Sequence, residues 1–205
     1  MRWEADRREF LKTFGIGAVG IFLPRLVLRI AEAAEDVPVI RTARNYPKGQ
    51  YFFEPAGLYI QKGQTVRWML TDTAMAITVT AFHPSNQNHE LRIPEGAKPF
   101  DSGMIWKTGA RGAFEWKFDV EGTYDYFSLT FEPVGMVGRI VVGKPGGPAE
   151  KFNPGYGGRD GRAVMYPAQA MILNALSSND IVAKKSIPYP KDLLVRTFPY
   201  SDLNR

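Results

Sequence analysis

Few side chains in this 205-residue sequence could do chemistry, and their types narrow what that chemistry would be. There is no cysteine, which removes disulfides, thiolate metal sites, CxxCH haem attachment and iron–sulfur clusters together. The two histidines, His83 and His89, fall in one stretch that reads as a loop. Imidazole is the commonest metal-ligating side chain, so these two, with Met104 or a carboxylate, outline a candidate metal or small-ligand site. Their spacing matches no recognised ligand pattern, and a third committed donor is missing; the plain alternative is a pair of exposed loop residues. Ser128 has no histidine close in sequence. No GxSxG, phosphate-binding loop, dinucleotide fingerprint or HExxH occurs. The 9 tyrosines and 4 tryptophans are accounted for by core and interface packing. The residues point to a protein that is not an enzyme and carries no cofactor.

The elements that must position these residues read as strands. With 44% hydrophobic and 13% aromatic residues, 20 glycines and 15 prolines, the composition is globular, turn-rich and β-leaning. The length suits one compact domain with appendages. Glu35–Asn45 leads in with a short strand around Val37–Thr42. Leu58 and Ile60 alternate with polar neighbours, Lys62-Gly63-Gln64 supplies a turn, and Val66 and Trp68 alternate on the next strand. Ala76–Pro84 reads as a further strand, and Phe114, Trp116 and Phe118 mark a half-buried one. The formal charge of +5 comes without a Lys/Arg run interleaved with aromatics, which argues against nucleic acid as partner.

Tyr124–Gly143 (YDYFSLTFEPVGMVGRIVVG) closes the pattern. Its outline resembles the last hairpin of the cupredoxin family, the small blue-copper electron carriers of the plastocyanin, halocyanin and auracyanin kind. In that family Tyr-x-Tyr-x-Cys runs into a loop Cys-x-x-His-x-x-x-x-Met and leaves as Gly-Met-x-Gly-x-Ile-x-Val; here Gly135–Val142 matches the exit strand. The resemblance extends over about Phe52–Gly143, through Phe53-Glu54-Pro55, Leu58, Ile60, Gly63, Val66 and Trp68, the Leu91–Ala97 and Pro99–Gly103 connection, and the Asp119–Tyr124 turn. It implies an all-β Greek-key sandwich. Carrying the copper-ligand positions across gives Ile77, Ser128, Phe131 and Met136. A type-1 site needs two imidazoles and a thiolate in a plane with a weak axial thioether. Isoleucine and phenylalanine offer no lone pair, a serine hydroxyl is a hard donor, and Met136 alone does not hold a metal. The expectation is a copper site lost and plugged by apolar side chains, with an apolar patch at the end of the sandwich where such carriers dock.

The N-terminus carries an address. Arg7-Arg8-Glu9-Phe10-Leu11-Lys12 closely resembles the twin-arginine export motif, followed by the apolar run Phe14–Leu23. Ala31-Glu32-Ala33 offers a cleavage site that would release a chain starting at Ala34. Leu11–Ala31 is also long enough to span a bilayer, with Arg25 and Arg29 placed to reach the interface, so residues 1–33 read as a signal peptide or an uncleaved anchor, the anchor slightly favoured.

Residues 34–143 form the sandwich, and 144–205 an extension. The extension opens with the linker Lys144–Pro148 and a glycine-rich stretch, Phe152–Arg162. A helix follows over Pro167–Ser178, with Ala168, Met171, Ile172, Ala175 and Leu176 on one stripe. From Lys184 a proline-interrupted arm either wraps its own sandwich or clasps a partner; its length beyond a complete barrel favours a partner. The expected role is a copper-free accessory subunit on the periplasmic face of the bacterial inner membrane. It would hold together the subunits of an electron-transfer complex, a photosynthetic reaction centre with its antenna or a respiratory complex. The alternative is a soluble periplasmic carrier or sensor using His83 and His89.

Overall fold

A computed structural model describes residues 37–87, 89–155 and 166–194. The export motif (Arg7, Arg8, Phe10, Leu11, Lys12), the cleavage site, most of the glycine-rich stretch and the end of the arm lie outside the described residues.

Two mixed sheets face each other. One holds β1 (Val39–Asn45), β2 (Gln50–Glu54), β4 (Thr65–Met69) and β6 (Ala113–Lys117) in the order β2-β1-β4-β6. The other holds β3 (Gly57–Ile60), β5 (Thr80–Ala81), β7 (Gly122–Phe127), β8 (Val137–Val142) and β9 (Ser186–Ile187) in the order β5-β7-β8-β3-β9. The run Tyr51–Ile60 crosses from one sheet to the other at Pro55, so that β2 pairs with β1 while β3 lies parallel to β8. Alternation does the rest. Val66 and Trp68 of β4, and Tyr124, Tyr126, Ile140 and Val142 of β7 and β8, point between the sheets. Trp68 sits at the centre with Phe100, Phe114, Phe118 and Tyr126 around it, ring centroids 5.5–6.3 Å away. The strand expected over Ala76–Pro84 is mostly irregular. Only Thr80–Ala81 pairs with β7, and Ile77 makes an isolated bridge to Ile105.

The second surprise is that β7 and β8 are buried at every residue. Their outer face (Thr123, Asp125, Phe127; Val137, Arg139, Val141) is roofed by the extension. Two helices form there instead of one: α1 (Pro167–Ala175) and α2 (Ser178–Lys184), the latter capped by the Ser177 side chain, which accepts from the Asp180 amide. Ala168, Ile172, Leu173, Leu176 and Ile181 build a second core with Phe127, Val137 and Val141. Ala175, expected on the apolar stripe, is exposed. The described part of the arm adds β9 to the edge of β3, and Tyr189 stacks on Phe52 at 4.5 Å. The inclination toward a partner-clasping arm is thereby corrected for residues up to 194: an apolar outer sheet face needs cover, and the chain's own extension supplies it. Among the described residues no helix is long and apolar enough to cross a membrane.

Candidate functional site

The β7–β8 connection folds back on itself through short local hydrogen bonds. The Ser128 amide donates to the Met136 carbonyl (3.0 Å), the Phe131 amide to the Ser128 carbonyl (3.0 Å) and the Met136 amide to the Phe131 carbonyl (3.1 Å). Gly135 closes the loop at φ 87°, a left-handed conformation that glycine adopts without strain. From the neighbouring segment the amide of Thr78, next to Ile77, donates to Ser128 Oγ at 3.2 Å, and Thr78 Oγ1 accepts from the Leu129 amide at 2.9 Å. Ile77, Ser128, Phe131 and Met136 are thus brought to one end of the sandwich, where Ile77 and Met136 join the main core and Phe131 packs against it.

That constellation does not fit a type-1 copper ion. Ile77 is fully buried against apolar neighbours. The Phe131 ring is stacked on Tyr51 at 4.2 Å with an interplanar angle of 11°. The Ser128 hydroxyl oxygen is engaged by a backbone amide. No thiolate exists in the chain. The position is occupied by these packed side chains, with one thioether and no imidazole among them.

The histidines part company. His83 stays in its own turn, Nδ1 against Ser85 Oγ at 2.7 Å. His89, expected in an exposed loop, is buried: its ring lies on Phe127 (4.2 Å, 17°) and against the edge of Phe82 (5.2 Å). Nδ1 meets the Asn86 carbonyl at 3.0 Å and Nε2 meets Glu132 Oε1 at 2.8 Å. A carbonyl only accepts, so Nδ1 carries a proton, and the second contact holds one more proton between imidazole and carboxyl. Gln169 of α1 donates to the same Glu132 oxygen. The loop after β7, the histidine loop and the extension are therefore tied together at one buried carboxyl. Sequence reading missed Glu132, which pairs with His89, and Gln169, which donates to Glu132; the three lie on distant segments. Among the described residues no three His, Cys, Asp or Glu side chains are grouped to hold a metal.

A second buried tie was also missed. Asp125 accepts from Arg92 Nε (2.8 Å) and from Arg139 Nε (2.7 Å) and Nη2 (3.0 Å). The two guanidiniums go on to donate to the carbonyls of Ala149 and Lys151 and, from Arg139 Nη1 at 2.6 Å, to Leu176. Burial opposes the Arg139 charge; the Asp125 carboxylate, with Glu150 beyond it, outweighs that and holds the arginine pKa above its ordinary value. The extension is anchored through these carbonyls.

The loops around the closed site leave apolar side chains in water. Five of the six large hydrophobic side chains that are exposed among the described residues lie here: Tyr46, Met104, Trp106, Leu129 and Val134, between 37% and 73% exposed. Contacts place them at one end. Arg44, in the strand leading to Tyr46, pairs with Asp72 at 2.6 Å, and Tyr51 stacks on Phe131. Met104 Sδ lies 3.9 Å from Thr130 Oγ1, and Ile105, between Met104 and Trp106, bridges Ile77.

Two sheets packed face to face, with a folded-back loop between the last two sandwich strands at one end, define a cupredoxin-type domain. No family model matches the chain. A plastocyanin from Scenedesmus fuscus is 30% identical over 95 residues, which is 46% of this chain and 89% of that protein. The chain belongs to the cupredoxin family, and it has no cysteine for a type-1 copper site. Among solved structures, a pseudoazurin from Sinorhizobium meliloti is similar at 25% identity over 52% of this chain and 73% of that one, TM-score 0.39. A reduced Cu(I) form of an amicyanin variant is similar at 26% identity over 55% and 87% of the two chains, TM-score 0.37.

Proposed function

We propose that this chain is a non-catalytic, copper-free accessory subunit that docks on the periplasmic face of a membrane electron-transfer complex and stabilises its assembly. The host is a photosynthetic reaction centre with its antenna or a respiratory complex, and the twin-arginine motif at Arg7-Arg8 is the route of export. The observation that carries the reading is the crowding of exposed apolar side chains at the closed end of the sandwich, where a carrier of this family would expose its metal edge. Contiguous exposed apolar surface marks an interaction site, while scattered single residues do not. The loop beneath that surface is held by backbone bonds, the Tyr51–Phe131 stack and the Glu132 tie, so docking needs little reordering.

A photo-crosslinking residue in place of Trp106 tests this in native membranes, with the same residue in place of Lys62, in the turn at the other end of the sandwich, as control. Crosslinks to integral-membrane subunits from position 106 and none from 62 are expected. Equal crosslinking from both, or none from either, would overturn the reading.

A further inference from the structure

The closed end carries charge as well as apolar surface, and cations outnumber anions on the loop that presents Met104 and Trp106. Lys107 and Arg111 are exposed on this loop, and neither side chain has an ion pair or hydrogen bond among the described residues. The loop is held to this end by the Leu70 amide, which donates to the Gly112 carbonyl at 3.0 Å, and by the Ile77–Ile105 bridge. The nearby acids are engaged within the chain. Asp72 pairs with Arg44, Asp192 pairs with Lys48 at 3.6 Å, and Asp101 accepts from Thr80 Oγ1 and the Gly103 amide, both at 3.0 Å. What faces outward is an apolar centre with two cations free of ion pairs on one side, and with the exposed Asp101 carboxylate, hydrogen-bonded by neutral donors alone, as the counter-charge nearby.

We infer that the partner of this surface is a protein patch of matching form: an apolar centre rimmed, opposite Lys107 and Arg111, by carboxylates. This rests on the docking reading above and names the chemistry of the same site. Trp106 is the anchor, a large half-exposed aromatic of the kind that dominates interfaces. Lys107 and Arg111 steer the approach and fix its orientation, since rim charges act on association rate and register more than on the contact itself. A protein surface suits this end better than a bilayer. Leu129 and Val134, in the folded-back loop, are more than half covered, and beside the protruding Trp106 they leave a low patch for a complementary wall.

The test uses full-length variants expressed in place of the native chain, with the detergent-solubilised membrane complex as probe. All three side chains are exposed, so thermal midpoints near the parent's confirm folding before binding is read. Trp106→Ala is expected to weaken association about 30-fold, the loss typical of an anchor residue. Lys107→Glu with Arg111→Glu is expected to slow association about 10-fold at low salt and to flatten its salt dependence. If Trp106→Ala releases the chain while the charge reversal leaves binding and its salt response unchanged, the acidic rim is overturned and the docking reading stands. If neither variant changes binding to the complex, this end is not the docking face and both fall. Capture of the parent by protein-free vesicles of anionic phospholipid, lost on charge reversal, would replace the protein partner with a lipid surface.

Discussion

Reinstating the missing donors would expose what the plug now does. The variant is Ile77→His, Ser128→Cys and Phe131→His in one chain, with Met136 kept. Ile77 is fully buried, and exchanging it for an imidazole forfeits about 1.5–3 kcal/mol of apolar burial. Its unpaired ring nitrogens add about 1–3 kcal/mol. Losing the Phe131 ring from its 4.2 Å stack on Tyr51 removes about 0.5–1.5 kcal/mol. Ser128→Cys is close to isosteric and weakens only the contact from the Thr78 amide. The metal-free variant should stand about 3–7.5 kcal/mol below the parent, a large part of the about 5–15 kcal/mol that such a domain has. For a chain of this size that is a drop of about 6–30 °C in thermal midpoint. Copper at a hundredfold excess over its dissociation constant should then return about 2.7 kcal/mol, while leaving the parent's midpoint where it was. Melting with and without copper(II), together with visible absorption from a copper–thiolate bond, reads both effects. A variant as stable as the parent and indifferent to copper would refute the convergence of these positions on one closed site.

Three further outcomes follow from the buried ties and the close contacts. Asp125→Asn leaves two buried guanidiniums without their carboxylate and should cost about 3–5 kcal/mol in urea unfolding; a cost under about 1 kcal/mol would mean that the cluster is hydrated. A Cβ at Gly57 would lie 2.8 Å from Ile181 Cγ1 and 3.2 Å from Ile187 Cβ, so Gly57→Ala should loosen α2 and β9 and speed proteolysis within residues 178–194 while the sandwich stays intact. Unchanged cleavage would contradict that packing. At high pH the buried tyrosines matter. Burial and the Asp119 charge push Tyr124 up to about 12, and burial raises Tyr126 and Tyr189 as well. An unfolded tyrosine ionises near 10, so this stability is whole below pH 10 and falls as pH rises through the folded values, by about 1.4 kcal/mol per pH unit for each tyrosine. Ultraviolet titration should show tyrosines that ionise only as the protein unfolds; complete ionisation near pH 10 in the folded state would contradict the burial.

The sandwich was legible because its inner faces keep a strict period of two: Val66 and Trp68, Phe114 and Trp116, Tyr124 and Tyr126, Ile140 and Val142. The spacing of Ser128, Phe131 and Met136 marked the loop whose backbone bonds fold it back on itself. What sequence concealed was the roof over β7 and β8. Asp125 and Arg139 alternate with inward-facing residues on their strands, and the carbonyls of Ala149 and Leu176, 10 and 37 residues beyond Arg139, make them interior. His89 looked like a loop residue because Glu132 and Gln169 lie 43 positions and more away. The second helix did leave a local signal, Ser177 three residues before Asp180, which marks a helix start.

Native membranes solubilised in mild detergent, fractionated by size and examined by mass spectrometry show whether this chain is the docked subunit proposed above. Co-migration of the chain with a large haem- or pigment-bearing complex, lost when Trp106 is replaced by alanine, is the predicted result. Migration of the chain alone as a small species under conditions that keep such complexes whole would contradict it.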